Sequence, residues 1–396
     1  MKTIVFSILF TLSVSLYAQE MTDSVRVDSA TDLQKINLSF NGQITAWEIT
    51  QFTNPLNWQL GGRFLPTFLG SYSLRENSMF DFEASAHING SLNFSDLKNV
   101  DNLGEIKLYR VWLRYSGNNW ELRGGLQKIN FGVARMFRPL MWFDGMDVRD
   151  PLQLTDGVHG LLGKYFFENN ASIWLWSLMG NNKPKGWELI GSSRWRPEIG
   201  GRVEFPAFTG EMGLSTHHRK VDVHNFTILV PENTLLNESR LGLEGQWDVG
   251  VGLWFETSFT KLQKNSHNIA LHQDAVNLGM DYTFPVGNGV GMTLEYFRYH
   301  IGNEFIRNGL NLNLLGGMFT YPVSILDNLT AMCFYVTNHD MNLWFNYINW
   351  TRTYDKWSFY VMGFWNPEIS LPLGGQIGSK NLFMGKGIQL MANFNF

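Results

Sequence analysis

The sequence predicts an all-β fold: a transmembrane antiparallel β-barrel of about eighteen strands, with sixteen as the other even count. Three observations predict it. Apolar and polar residues alternate over segments of about ten residues, the length of a tilted membrane-crossing strand. Short turns and long irregular links also take turns along the chain, and the final residues form one more two-faced strand. Composition agrees. Aromatics make up 15 % of the 396 residues, Gly is abundant at 39, and charged residues are only 17 %. The mean hydropathy of -0.14 is too polar for a bundle of membrane helices. With a net charge of -4, nothing argues for nucleic-acid binding, which needs a basic face to neutralise phosphates.

The chain opens with MKTIVFSILFTLSVSLYAQE, in which Lys2 precedes an apolar run from Ile4 to Leu16 and then Tyr17-Ala18-Gln19. That is the pattern of a secretory signal peptide cut after Ala18, and the run is too short to span a bilayer comfortably. The expected division is a signal peptide over 1–18, a short polar periplasmic arm over 19–35, and the barrel over 36–396. The single Cys333 excludes an internal disulfide framework and a Cys-based metal site.

Strands then follow in order, starting near 36, 58, 78, 105, 119, 158, 171, 198, 209, 238, 251, 275, 290, 310, 329, 342, 357 and 384. Phe80, Phe82, Ala84, Ala86 and Ile88 alternate with Asp81, Glu83, Ser85, His87 and Asn89. Leu253, Phe255, Thr257 and Phe259 alternate with Gly252, Trp254, Glu256 and Ser258. Leu278, Met280 and Tyr282, and later Met292, Leu294 and Tyr296, repeat the pattern. Short turns fall at 116–119, 168–170, 206–210, 248–250, 286–289 and 354–356. Longer links fall near 91–104, 129–157, 181–197, 220–237, 262–274 and 367–383. Short periplasmic turns and long extracellular loops are the pattern of a membrane barrel. Tyr115, Trp120, Phe205, Phe208, Tyr282, Phe284, Trp350 and Trp357 crowd the short turns, as a girdle at a membrane interface would.

The last strand reads GIQLMANFNF, with Ile388, Leu390, Ala392, Phe394 and Phe396 on one face. It resembles the terminal signature of bacterial outer-membrane barrels. The resemblance implies a Gram-negative outer membrane, contact with its lipid, and recognition of Phe396 by the barrel-assembly machinery.

Strand parity assigns charges of both signs to the lumen: Arg110, Arg114, Arg123, Arg202 and Arg240 against Asp81, Glu83, Glu121, Glu204, Glu244, Glu256, Asp281 and Glu295. They read as cross-strand ion pairs bracing a wet wall, or as a charge-lined path in which Arg110, Arg114 and Arg123 make a basic ladder for anions. His87, His217, His218 and His224 are the metal-ligand candidates. The adjacent pair point to opposite faces and no partner stands at ligand spacing, so neither metal nor cofactor is expected.

The longest non-alternating stretch is FGVARMFRPLMWFDGMDVRDPLQLTD, Phe131 to Asp156. Its apolar residues need a surface, so it must fold into the lumen or cover the outer mouth. Arg135, Arg138 and Arg149 then need partners, because an unpaired buried charge is costly. Asp144, Asp147, Asp150 and Asp156 are the candidates within the same stretch, and Arg135, Arg138, Asp144, Asp147, Arg149 and Asp150 become the candidate pore-constriction set. Gly125, Gln127, Ile129, Phe131, Gly132, Pro139, Asp150 and Pro151 also resemble a motif of alginate-export-type porins of Proteobacteria and Bacteroidetes. That resemblance implies a solute channel.

The expected function is an outer-membrane channel for diffusion or export of small or anionic organic solutes, oligosaccharides among them, narrowed by the loop at 130–157. A homotrimer fits the smooth outward face. The alternative is a non-conducting scaffold or surface glycan-binding barrel using Trp187, Trp195 and the loop at 183–196. No Ser–His pair shares an outward face and no G-x-S-x-G occurs, so no enzyme is expected.

Overall fold

The computed structural model describes residues 36–75, 77–95, 99–223, 234–263, 270–338, 341–369 and 382–396. The signal peptide and arm expected over 1–35, His224, and most of the link at 367–383 lie outside these residues. The described chain is one closed antiparallel sheet of 18 strands. It begins with β1 (Ile36–Gln51), β2 (Asn57–Arg75), β3 (Ser78–Ser95), β4 (Asn99–Ser116) and β5 (Trp120–Gln127). Then come β6 (Val158–Phe166), β7 (Ser172–Leu178), β8 (Glu198–Ala207), β9 (Gly210–Asp222) and β10 (Leu235–Asp248). Next are β11 (Gly252–Leu262), β12 (His272–Phe284), β13 (Val290–Gly302) and β14 (Gly309–Pro322). The circuit ends with β15 (Asp327–Asn338), β16 (Met341–Thr353), β17 (Trp357–Trp365) and β18 (Lys386–Asn395).

Each strand pairs with its sequence neighbour, and β1 also pairs with β18, Gln43 opposite Asn395 through Gln51 opposite Gly387. Closure leaves the sheet no edge, so its backbone groups are satisfied without water. The alternation sets the faces as the sequence predicts. Leu253, Leu278, Leu294 and Leu241 are exposed on the outside, while their neighbours Trp254, Asn277, Glu295 and Arg240 are buried within. Trp120, Phe205, Tyr282, Phe284 and Trp357 stand outward beside the short turns. The carbonyl and N–H of Phe396 and Gly42 close the seam at the short-turn end, where the Phe396 ring meets Phe40 at 5.5 Å.

Two expectations need correction. The stretch 91–104 is not an open link: β3 and β4 pair from Met79–Ser116 up to Ser95–Asn99, so only 96–98 separates them. Nor do all strands run about ten residues, since β1 to β4 have 16, 19, 18 and 18. The polar pattern SLNFS…VDNLG reads as loop but satisfies a hairpin that rises beyond β5, which pairs with β4 only over Val111–Ser116. A bulge at Tyr109 keeps Lys107 and Arg110 on the same, inward face despite their unequal parity.

The lumen is divided. On β3 to β5 and β8 to β11 the inward residues are mainly charged or polar, as expected, but β6 and β7 turn Val158, Leu162, Trp176 and Leu178 inward against Phe131 and Trp142. From β13 to β17 the inward residues are mostly apolar, Glu295 and Asn349 apart, and Phe297, Leu314, Phe334, Phe345, Tyr347, Met362 and Phe364 join one buried cluster with Met136 and Phe137. The wholly polar lumen expected from parity is therefore wrong for that half. The missing signal is the unbroken apolar run Ala331–Val336, which no half-buried strand facing water would carry.

Candidate functional site: a loop clamped inside the barrel

The segment Lys128–Gly157 leaves β5, enters the lumen and returns to β6 without regular secondary structure. Inward folding, one of the two placements open from sequence, is what the structure shows. Phe137, Leu140, Met141, Trp142 and Phe143 are all buried. Phe137 lies 5.6 Å from Phe297 and 5.7 Å from Phe334, on the wall opposite the loop's own origin. Nearer its origin, Phe131 stacks on Trp176 at 5.7 Å and meets Trp142 edge-on at 5.6 Å.

Two wall carboxylates fasten the loop by its backbone. Glu295 on β13 accepts the N–H groups of Arg135, Met136 and Phe137 at 2.5, 3.1 and 2.7 Å. Glu256 on β11 accepts those of Ala134 and Leu140 at 2.9 and 2.5 Å. Between them Asn277 on β12 donates to the Phe137 carbonyl at 2.8 Å and to Glu295 at 2.9 Å. The Trp142 indole adds a bond to Ser258 at 2.9 Å. Charge-assisted bonds of this kind are the strong ones, and they act here away from bulk water. Gly132 makes the approach feasible, because at its φ of +104° a Cβ would lie 2.7 Å from Glu256 Oε2. Both glutamates are legible in the sequence as lumen-facing acids, but their role as clamps is not.

The loop's own charges are mostly braced. Arg149 forks onto Asp147 at 2.7–3.1 Å, and Tyr347 stands 3.4 Å away. Arg138 lies 3.8 Å from Asp144 and also binds the Asn130 side chain and the Phe131 carbonyl. Burial raises the Asp144 carboxyl above the ordinary range, with Arg138 and Lys128 pulling the other way. Asp150 does not pair within the loop; it caps the turn at the Leu152 N–H, 3.0 Å away. Asp156 reaches out to Lys107 at 2.6 Å. Arg135 finds no carboxylate partner among the described residues and lies exposed over the Trp254 ring at 5.5 Å.

Of the wall candidates, Arg114 is held by Asp81 and Glu121 at 3.0 and 3.1 Å, and Arg123 by Glu121 at 3.6 Å. Arg110 binds the Thr155 carbonyl at 2.6 Å and so ties the loop's return limb to β4. These three do not form an open basic row. Glu83 accepts the Trp112 indole at 3.0 Å. Arg202 pairs with Glu244 and, at 2.8 Å, with Glu204. Arg240 pairs with Glu238 at 2.7 Å and with Glu188 at 2.8 Å. His217 is no isolated lumen histidine: it bonds Glu198 at 3.1 Å and the Trp176 indole at 3.1 Å, beneath Phe143. Among the described residues no group of three or more His, Cys, Asp and Glu could hold a metal.

Sequence reasoning missed a second inward loop, between β7 and β8. Trp187 packs on Phe297 at 4.5 Å and its indole donates to the Arg138 carbonyl at 3.1 Å. It therefore staples one loop to the other and presents no ring to an outside glycan, whereas Trp195 is 73 % exposed. Gly186, at φ +52°, sits against the Met141 carbonyl where any Cβ would collide. Arg63, Lys107, Lys128, Arg219 and Glu238 complete the charged half. Lys107 and Arg219 could have been found by extending the strand parity through the bulge and along His217.

Neither a protein-family model nor a curated protein matches the chain. Solved structures do. OccK5 (OpdH) of Pseudomonas aeruginosa superposes with a TM-score of 0.58 at 9 % identity, over 91 % of this chain and 98 % of that one. OccAB4 of Acinetobacter baumannii gives 0.55 at 11 %, over 93 % and 100 %. An anion-selective porin from Comamonas acidovorans gives 0.50 at 12 %, over 91 % and 100 %. At such identities the likeness is one of fold, and the resemblance to alginate-export porins rests on the residues from Gly125 to Pro151 alone. What the chain shares with these outer-membrane porins is the fold, which in this chain is a closed antiparallel barrel of 18 strands.

Proposed function

We propose that the protein is a channel of the Gram-negative outer membrane for small polar or anionic organic solutes, its lumen narrowed by the loop at 130–157. The observation that carries this reading is the clamping of that loop across the inside of the wall by Glu256 and Glu295. A barrel of this strand number encloses an aqueous lumen unless it is filled, and the loop fills one side of it. On the other side, between β2–β4 and the return limb, Lys128, Gln153 and Asp156 are exposed and Arg63, His87 and Lys107 half-exposed. That charged, wetted strip is the proposed path, with Arg63, Lys107 and Lys128 its cations. The anion-selective porin among the similar folds supports the same direction.

Reversal potentials across planar bilayers in asymmetric potassium chloride test the reading. An anion preference that weakens in Lys107→Gln and Lys128→Gln is expected, and a cation preference unchanged by both variants contradicts it. A non-conducting scaffold is the second reading. The buried apolar half of the lumen and the two inward loops favour it, and correctly inserted barrels that pass no current would establish it. Export to the outer membrane through the segment at 1–18, assembly through Phe396, contact with outer-membrane lipid and a homotrimer belong to the proposal.

A further inference from the structure

Glu188 stands at the tip of the inward loop between β7 and β8, and one of its oxygens, Oε1, lies in a fork. Arg219 Nη1 of β9 approaches it at 2.9 Å and Arg240 Nη1 of β10 at 2.8 Å. All three side chains are at least nine-tenths buried. The other oxygen, Oε2, only accepts the N–H of Lys185, at 3.0 Å, within the tip itself. The barrel wall thus grips this loop residue through a single carboxylate oxygen, which any small carboxylate could supply.

The fork stays in place without Glu188. Arg219 also binds Glu238 at 2.6 Å, the Ser192 hydroxyl at 2.9 Å and the Ile190 carbonyl at 2.9 Å. Arg240 binds Glu238 at 2.7 and 2.9 Å and lies over the Trp142 ring at 5.9 Å. Beyond the tip the loop is pinned to β9, by the bridge between Ser192 and Val221 and the bond from the Asp222 N–H to the Gly191 carbonyl. The segment that must swing is therefore the turn at 185–188. To leave, it must give up the bonds of Gln273 and Tyr299 to the Trp187 carbonyl, of the Trp187 indole to the Arg138 carbonyl and of Lys185 to the Gly157 carbonyl. Its departure would leave two guanidinium groups facing one carboxylate, Glu238, and a buried surplus charge demands an anion. A cavity of about 10 Å³, room for about one water, adjoins Glu188 and Arg240. Its walls include Trp142, Trp187, Ser258, Thr260 and Gln273. As the turn withdraws with Trp187, this space opens beside aromatic and hydroxyl side chains.

We propose that the Arg219–Arg240 fork is a binding seat for a small carboxylate with an apolar body, and that Glu188 is a built-in occupant which such a solute displaces. The proposal deepens the channel reading and rests on it for the solute's route, though not for the seat. The consequence is a loop tip that stays inward in the absence of solute and is released by it.

The test uses the full chain purified in detergent micelles and titrated calorimetrically with sodium benzoate. Glu188→Gln keeps the side-chain shape but removes the competing charge. It should bind benzoate about ten-fold or more tightly than the wild type, because a tethered competitor acts at roughly millimolar or higher effective concentration. Combining Glu188→Gln with Arg240→Gln should abolish the gain. Equal affinity in wild type and Glu188→Gln, or binding that survives the double change, overturns the seat. Heat-modified gel mobility reports whether each variant forms the barrel. Should Glu188→Gln fail to form it, Glu188→Ala removes the same competing charge without touching the two arginines and must show the same gain. Bilayer current is read separately. Silent barrels whose Glu188→Gln form binds benzoate would remove the channel and leave the seat. Current without benzoate binding in either form would remove the seat and leave the channel.

Discussion

Arg149 illustrates how single side chains decide the loop's position. Its guanidinium is buried among Tyr347 and the Phe383 ring, and Asp147 two residues earlier supplies a forked partner. Asp147→Asn leaves that cation buried with no opposite charge, so a loss of about 3–5 kcal/mol is expected, read as a lower urea midpoint in micelles. An unchanged midpoint would mean that water reaches Arg149. Lys185 makes a second residue-scale prediction. Burial pulls its ammonium down to about 8 from 10.5, although Glu188 and Glu198 act to raise it. The folded chain therefore sheds this proton before the unfolded chain does, and stability should rise as pH climbs from about 8 to 10.5. The rate of Lys185 acylation, followed by peptide mass spectrometry, should show a midpoint near 8. A midpoint at the free-lysine value contradicts the burial.

For the loop as an element, its own hydrogen bonds matter less than those it borrows from the wall. Five of its backbone N–H groups end on Glu256 and Glu295. Replacing both glutamates by alanine strands those donors, and bonds to charged groups contribute about 1.5–3 kcal/mol each. Amide exchange over 134–140 should accelerate by at least about ten-fold while the barrel strands stay protected. Unchanged exchange would show that side-chain packing alone holds the loop. Packing is itself measurable: Phe137→Ala removes a fully buried ring and should cost about 3–5 kcal/mol in the same urea assay.

The apolar composition and paired charges of 131–156 made an inward loop legible in the sequence. Its fastenings were not, because Ala134 and Glu256 stand 122 residues apart and Met136 and Glu295 stand 159 apart. Period-two alternation says which way a glutamate points. It cannot say which distant backbone will meet it. The loop between β7 and β8 was hidden for the same reason: Trp187 and Glu188 look like surface residues until Phe297, Arg219 and Arg240 are brought beside them.

At the scale of the whole molecule, the alternation carried nearly everything about the wall: strand number, inside and outside, and the rim on which each link lies. It failed where both faces turned apolar, on β6, β7 and most of β13 to β17, since those inward residues face protein instead of water. The barrel is thus half solid. In the proposed channel the path runs beside β2–β4, where Lys128, Gln153 and Asp156 are exposed, and the clamped loop would set its width.

Single-channel conductance of the wild-type chain against a chain lacking residues 133–155 measures that most directly. A small, steady current in the wild type and a several-fold larger one in the shortened chain is the expected result, since the freed lumen of such a barrel is wide. Equal conductance in the two would contradict a constriction at the clamped loop.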